Sequence, residues 1–160
     1  MNPTPRTDAW WAEYRTANPQ ALAEYRLMWF GGTDLALADE LADLVVNGPK
    51  RATTWLLRDL ETGKEAWMPQ PGDLWLLLDG KAAPRAVLQT HRIDIRPFRD
   101  VDRQFAWDEG EGDRSLAHWR RAHLWYFGRQ AEQEGFVFDE SMSVVLERFR
   151  VIWPPETADR

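Results

Sequence analysis

The amino-acid sequence predicts an α+β fold, in which several helices pack outside a small β-barrel. The segments 37–45 and 114–133 carry apolar residues at the spacing of amphipathic helices. The segments 74–78, 86–96 and 143–153 have the apolar or alternating patterns of strands. These strands come from distant parts of the chain and do not alternate regularly with helices, so a doubly wound parallel sheet is not expected.

The N-terminal part of the chain predicts three helices. The first covers 7–18. The Asn-Pro pair at 18–19 is typical of an N-cap followed by the first helical position, and it predicts a second helix that ends at the glycine pair 31–32. The Thr-Asp pair at 33–34 provides the cap of the third helix, which ends at Gly48.

The stretch 48–54 predicts a helix exit that runs directly into a strand. A glycine and a proline end the helix, and two β-branched threonines begin the strand. Lys50 and Thr53 therefore place an amine and a hydroxyl on one short connection, where they can act as base and nucleophile. This chemistry requires burial that disfavours the charged amine. The alternative is a solvated lysine at a helix end.

The middle of the chain predicts a hairpin. The strand 74–78 is followed by Asp-Gly at 79–80, a strong turn signal, and then by an alternating strand over 86–96. Alternation puts His91 on one face with two isoleucines, and we expect that face to point into the barrel or its mouth. A buried core histidine is the expected interpretation, and contact with a base or proton shuttling is the alternative.

The C-terminal part predicts a short helix, a long helix and a last strand. The short helix covers 98–108 and leads into 109–113, an acidic stretch punctuated by glycines. The aspartate that ends this stretch caps the long helix 114–133. After the strand 143–153, two prolines close the domain, and 154–160 are expected to form a frayed tail.

Composition excludes several classes of protein. The 160 residues include no cysteine, so a disulfide framework, a thiolate zinc site and a cysteine nucleophile are excluded. The net charge of −6 disfavours non-specific binding to duplexes, but a basic patch or a site for one uncharged base stays possible. Neither a secretory signal nor a membrane span is apparent, so we expect a cytoplasmic protein. No residue cluster has metal-ligand spacing, and we expect no metal or other cofactor.

Ten tryptophans are unusual for this length. We expect most of them to pack in the core, and one or two at the mouth of a cleft can stack on a base.

Several separated strings resemble the ASCH domain family. The stretch 48–53 resembles its Gly-x-Lys-x-x-Thr signature, and further similar strings occur in the family's order at 71–73, 79–80, 109–120 and 147–149. The resemblance covers 25–153 as one domain and leaves 1–24 as an N-terminal helical extension. It implies a PUA-like β-barrel and a function in RNA metabolism, with RNA or a modified nucleoside as the partner.

The resemblance also implies site residues. The family includes a small amidohydrolase that removes the acetyl group of N4-acetylcytidine with a Lys, a Thr and a Glu. These match Lys50, Thr53 and Glu109 as catalytic residues, with Glu111 as the alternative carboxylate. The residues assigned to substrate binding are Arg51, Thr54, His91, Glu111 and Arg114.

Two other functions stay open at this point. One is a non-catalytic module that reads RNA through the same cleft, and the other is a metal-independent ribonuclease in which Lys50 stabilises charge at phosphorus. Pro49 and His91 depart from the family pattern, which affects the choice of substrate more than the fold.

Overall fold

The computed structural model describes residues 2–63 and 67–159. The helices and strands follow one another as α1 (Pro5–Ala17), β1 (Arg26–Met28), α2 (Leu35–Val46), β2 (Ala52–Leu56), α3 (Leu57–Glu61), β3 (Leu74–Leu78), β4 (Pro84–Pro97), a 3₁₀ turn (Phe98–Asp100), α4 (Arg103–Glu109), α5 (Leu116–Glu134) and β5 (Ser143–Trp153). None of the helices in these two ranges is long and apolar enough to cross a membrane.

Within the described residues, the strands form a mixed sheet of five in the order β1-β3-β4-β5-β2. β1 is parallel to β3, whereas β3 pairs with β4, and β2 with β5, in antiparallel register. β2 therefore lies at an edge of this sheet, where it pairs with β5. In that register Thr53 lies opposite Glu147, and Thr54 lies opposite Leu146.

The chain divides into two compact units. The first contains residues up to 48, 71–91 and those from 149 on. Its core is formed by Trp11 and Tyr14 of α1 together with apolar residues of β3 and β4. Because these two aromatic side chains are only 2% and 5% exposed, α1 is an integral part of this core. Asp159 accepts a hydrogen bond from Val151 N, a contact that the expectation of a frayed tail did not include.

The second unit contains residues 49–70 and 92–148. Its core lies between β2 and β5 on one side and α4, α5 and the 3₁₀ turn on the other. Phe98 stacks on Trp119 with ring centroids 5.0 Å apart. The buried members of this core are Ala52, Leu56, Phe98, Val101, Phe105, Ala106, Trp119, Phe127, Val144 and Leu146.

The helix predicted between 19 and 30 is wrong. Residues 26–28 form β1, and Leu27 pairs with Leu76 of β3. The irregular segment before β1 is tied to α1 by a 3.1 Å hydrogen bond from Trp11 Nε1 to Leu22 O. The local Asn-Pro signal is overridden by pairing with a strand almost fifty residues further along the chain, which a local pattern does not contain.

The face predicted for His91 is also wrong. Thr90 is 1% exposed and accepts a 2.9 Å hydrogen bond from Trp75 Nε1, whereas His91 is exposed. Since neighbouring residues of a strand point to opposite faces, the buried Thr90 directs His91 outward. Ile95, which was expected to share the inward face, is 53% exposed.

The long helix begins two residues later than predicted. Ser115, and not Asp113, is the N-cap of α5, because its hydroxyl accepts a 3.0 Å hydrogen bond from His118 N. Asp113 instead accepts a 2.8 Å hydrogen bond from Ser115 N and so orders the turn before the cap.

Candidate functional site

Lys50 precedes β2 and is held against the turn that follows α4. Its side chain is 1% exposed, which is rare for lysine. Gly110, the left-handed C-cap of α4, lies directly on the backbone here, since a Cβ on it would stand 2.6 Å from Lys50 N. Arg51 N donates a 2.8 Å hydrogen bond to Asp108 O in the same place. The close approach brings the carboxylates of 109–111 to the Lys50 amine.

The Lys50 ammonium contacts a backbone carbonyl and two carboxylates. Nζ donates hydrogen bonds of 3.0 Å to Ala52 O and 2.5 Å to Oε1 of Glu111, and it lies 3.8 Å from Oε1 of Glu109. The Glu111 side chain is 25% exposed, whereas that of Glu109 is 2% exposed. Lys50 therefore connects a deep carboxylate to one that reaches solvent.

Glu109 accepts hydrogen bonds from two elements. Thr54 Oγ1 donates to Oε2 at 3.0 Å, and Trp119 Nε1 donates to the same oxygen. His123 Nε2 lies 3.6 Å from Oε1. Burial alone would raise the pKa of Glu109, but the positive charges of His123 and Lys50 and the hydrogen bond from Trp119 outweigh it and lower the pKa to about 2. Glu109 is thus a buried, ionised group and a poor proton donor near neutral pH.

His123 is a member of the site that the sequence analysis did not assign. Burial lowers its pKa, but the nearby negative charge of Glu109 dominates, so that the net shift is upward. Its ring stacks on Trp119 at 4.3 Å, and its Nδ1 lies 3.0 Å from Trp119 O. Both residues stand on the buried stripe of α5, four positions apart. A histidine on the buried stripe of a helix needs a polar partner, and this requirement is the sequence signal that indicates His123 as a site residue.

Thr53 points to the other face of β2. Thr54 contacts Glu109, so alternation along the strand directs its neighbours Thr53 and Trp55 away from that carboxylate. Thr53 is 7% exposed, and among the described residues none hydrogen-bonds to its hydroxyl. On this face Trp55 Nε1 donates a 2.9 Å hydrogen bond to Oε2 of Glu147, a fully buried carboxylate on β5.

The remaining residues assigned to substrate binding are more dispersed. The Arg51 guanidinium donates a 2.7 Å hydrogen bond to Lys50 O. Arg114 has a left-handed backbone, with φ of 62°, and its guanidinium stacks 3.7 Å above the exposed Trp107 ring and bonds to Trp107 O. His91 belongs to the first compact unit. The structure thus brings together Lys50, Thr54, Glu109 and Glu111 from the predicted set.

The assembled groups form an alternating series of charges. The series begins with the partly exposed Glu111 carboxylate and continues with the Lys50 ammonium, the Glu109 carboxylate and the His123 imidazole. The charges nearly cancel, so the cluster does not attract anions as an uncompensated lysine would. Within the described residues, no group of three or more His, Cys, Asp and Glu side chains is arranged to hold a metal ion.

Comparison with known proteins defines the class of protein to which this fold belongs. The crystal structure of an ASCH domain from Lactobacillus crispatus JV V101 is similar at a TM-score of 0.86, with 28% identity over 96% of this chain and 98% of that one. Protein EF3133 from Enterococcus faecalis V583 gives a TM-score of 0.81 and 25% identity over 92% of each chain. These likenesses confirm the predicted α+β, PUA-like class of fold.

A family model described as the ASCH domain matches residues 26–153. The chain belongs to the ASCH domain family, which is generally linked to RNA-related functions. No curated protein matches the chain.

Proposed function

We propose that this ASCH domain is an amidohydrolase that removes the acyl group from a nucleoside of the N4-acetylcytidine type. The observation that carries the proposal is the pairing of buried Lys50 with Glu111, which is 25% exposed. A buried amine that shares a hydrogen bond with a solvent-accessible carboxylate can exchange a proton with it. Amide hydrolysis requires a proton to be taken from the nucleophile and another to be given to the leaving nitrogen.

The charge balance of the site favours an uncharged ligand over a phosphate. Lys50 is already neutralised by Glu111 and Glu109, at 2.5 Å and 3.8 Å. A phosphate that approaches this amine meets the negative charge of Glu111 first, and the repulsion disfavours it. A ribonuclease needs a lysine that is free to stabilise charge at phosphorus, so we rank this alternative below hydrolysis of an amide on an uncharged base.

The proposed reaction uses Lys50 and Glu111 as a proton relay. The Lys50 amine bonds at 3.0 Å to Ala52 O, the carbonyl that precedes Thr53, and this contact is the link we propose between the amine and the Thr53 face of β2. Lys50 gives a proton to Glu111, and the neutral amine then accepts the proton of the Thr53 hydroxyl as its oxygen attacks the acyl carbon. When the tetrahedral oxyanion collapses, the C–N bond breaks and Glu111 protonates the leaving exocyclic nitrogen. The acyl group stays as an ester on Thr53. The same relay then takes a proton from water, which attacks the ester, and returns one to Thr53 as the carboxylic acid leaves.

Glu109 has a positioning role in this scheme. Its pKa of about 2 keeps it ionised, so it cannot protonate the leaving nitrogen near neutral pH. It holds Lys50 and His123 by charge and Thr54 and Trp119 by hydrogen bonds. This assigns the proton transfers to Glu111 and the orientation of the amine to Glu109.

The test is hydrolysis of N4-acetylcytidine, followed as formation of cytidine by chromatography. We expect turnover by the wild type and a loss of at least about 100-fold in Lys50→Met and Thr53→Val, since these remove the base and the nucleophile. Thr62→Val, which alters an exposed threonine at the end of α3, serves as the matched control and should retain activity.

Two results would contradict the proposal. Thr53→Val that turns over at the wild-type rate would exclude Thr53 as nucleophile. Absence of turnover, together with RNA binding of steep salt dependence that Lys50→Met weakens, would favour the non-catalytic RNA-binding module instead.

A further inference from the structure

The face of β2 that points away from Glu109 carries an indole ring held in one orientation. Trp55 Nε1 donates its hydrogen bond to Glu147, which is 0% exposed. Glu147 is fixed in turn by its place in β5, directly opposite Thr53. A carboxylate buried in a strand and bonded to the indole N–H restricts rotation of the ring, because any other rotamer gives up this hydrogen bond.

The ring of Trp55 differs from the tryptophans of the cores. Trp11 and Trp119 are nearly fully buried and pack against neighbouring aromatic rings. Trp55 is half-buried, and among the described residues no aromatic ring contact involves it. An indole that is anchored at its polar edge, partly open and without an aromatic neighbour is suited to stack on a nucleobase.

The spacing along the strand relates this ring to the proposed nucleophile. Thr53 and Trp55 are two residues apart and share a face, so their Cα atoms lie about 7 Å apart. A pyrimidine that stacks on the indole and carries an amide on its exocyclic nitrogen can span this distance, which places the acyl carbon at the hydroxyl. Stacking selects any flat base, and the position of the hydroxyl selects a base with a substituted exocyclic nitrogen.

We infer that Trp55 is the base-stacking residue of this site, that Glu147 is the positioning residue that fixes its ring, and that the ligand is an unpaired pyrimidine nucleoside substituted on its exocyclic nitrogen. The inference rests on the proposed function, since it uses Thr53 as the reacting group. It adds a recognition element on β2 and β5 that is formed by residues outside the Lys50 cluster, and it is testable by binding alone.

The test measures the binding of cytidine, the product, by isothermal titration calorimetry. Ribose 5-phosphate is the comparison ligand, because it lacks a base. We expect Trp55→Leu to weaken cytidine binding about tenfold, because one stacked base is lost, whereas Trp55→Phe retains most of the affinity. Trp125→Leu is the matched control, because Trp125 is 60% exposed on α5. Stacking should also quench indole fluorescence on titration, and Trp55→Phe should abolish that part of the quenching while binding persists.

Glu147→Gln tests the positioning role. The amide oxygen still accepts the indole hydrogen bond, so we expect affinity close to that of the wild type. Glu147→Leu should weaken cytidine binding to the level of Trp55→Leu without adding to that variant in the double substitution. Thermal unfolding and circular dichroism establish that each variant is folded.

The outcomes separate this inference from the proposed function. Turnover of N4-acetylcytidine with an unchanged KM in folded Trp55→Leu would overturn the inference and leave the amidohydrolase standing. Cytidine binding that depends on Trp55 without any turnover would support the stacking site and overturn the amidohydrolase. Equal affinity for cytidine and ribose 5-phosphate in the wild type would overturn the inference directly.

Discussion

Gly110 lies so close to Lys50 that no side chain fits between them. A Cβ on Gly110 would stand 2.6 Å from Lys50 N and 2.7 Å from its Cα, and the φ of Gly110 is +75°. The contact is between two backbones, which cannot move apart as flexible side chains do. It sets the distance between the strand that carries the amine and the turn that carries both carboxylates, and so it determines the geometry of the candidate site.

This contact predicts that Gly110→Ala disrupts the site more than a comparable substitution elsewhere. Both the left-handed backbone and the overlap with Lys50 oppose the methyl group, and we expect unfolding free energy to fall by about 3 kcal/mol. Gly135→Ala is the matched control, because Gly135 is also a left-handed helix C-cap, at φ +72°, but has nothing within 4 Å of its Cβ. Gly135→Ala should lower the free energy of unfolding by about 1 kcal/mol. Equal losses in urea unfolding would contradict the close contact as the cause.

Local sequence signals were sufficient for most of the elements. β5 spans the predicted residues 143–153. α2 ends at Val46, two residues before the glycine that was predicted to stop it. Asp34 caps α2 through its side chain, as one of the two residues at the predicted cap. These features depend on short-range chemistry, such as periodicity, capping and turn residues, and each is contained in one segment of the chain.

Long-range pairing and strand orientation were not contained in the local sequence. β1 forms because Leu27 pairs with Leu76 of β3, and the residues near Leu27 do not indicate that partner. His91 was assigned to the wrong face because the isoleucines that follow it suggested an inward side, whereas the hydrogen bond of Thr90 with Trp75 fixes the opposite one. His123 lies on the buried stripe of α5, but its partner Glu109 is on another helix, and the pairing could not be inferred from spacing.

Glu109 and Glu111 differ in burial, which predicts different consequences of removing each charge. Glu109→Gln leaves buried His123 and Lys50 with less compensation, and we expect it to lower the free energy of unfolding by about 3 kcal/mol. Glu111→Gln alters a 25% exposed partner of Lys50 and should cost about 1 kcal/mol. Under the proposed function, turnover should be lost in Glu111→Gln at pH 7 although the protein is folded. Urea unfolding and the cytidine assay measure both effects, and a larger stability loss in Glu111→Gln would contradict this division.

Adjacent threonines on β2 are predicted to have separate roles. Thr54→Val removes a hydroxyl that donates to a buried charged carboxylate at 3.0 Å, and we expect unfolding free energy to fall by about 2 kcal/mol. Thr53→Val keeps a β-branched side chain and breaks no hydrogen bond to a described residue, so stability should change by less than about 0.5 kcal/mol. Turnover should be lost in Thr53→Val. Urea unfolding and the cytidine assay on both variants test these separate roles. A loss of stability that is larger for Thr53→Val than for Thr54→Val would overturn the assignment of the two faces.

The buried pair of Glu109 and His123 predicts stability that declines on both sides of a maximum. The pKa of Glu109 falls from 4.5 to about 2 on folding, so its contribution of about 3 kcal/mol is present above pH 4.5 and is lost as pH falls from there toward 2. The pKa of His123 is raised from 6.5, so its contribution is complete below pH 6.5 and is lost as pH rises through the folded value. The maximum from this pair therefore lies between pH 4.5 and 6.5.

Urea unfolding of the wild type and Glu109→Gln at intervals from pH 3 to pH 9 measures this dependence. Other carboxylates contribute to acid unfolding in both proteins, and the difference between the two curves isolates Glu109 and its effect on His123. We expect the difference to be largest between pH 4.5 and 6.5 and to shrink in both directions, because Glu109 is both the group that titrates in acid and the main charge that raises the pKa of His123. A difference that stays constant from pH 3 to pH 9 would mean that the two groups do not interact in the folded protein.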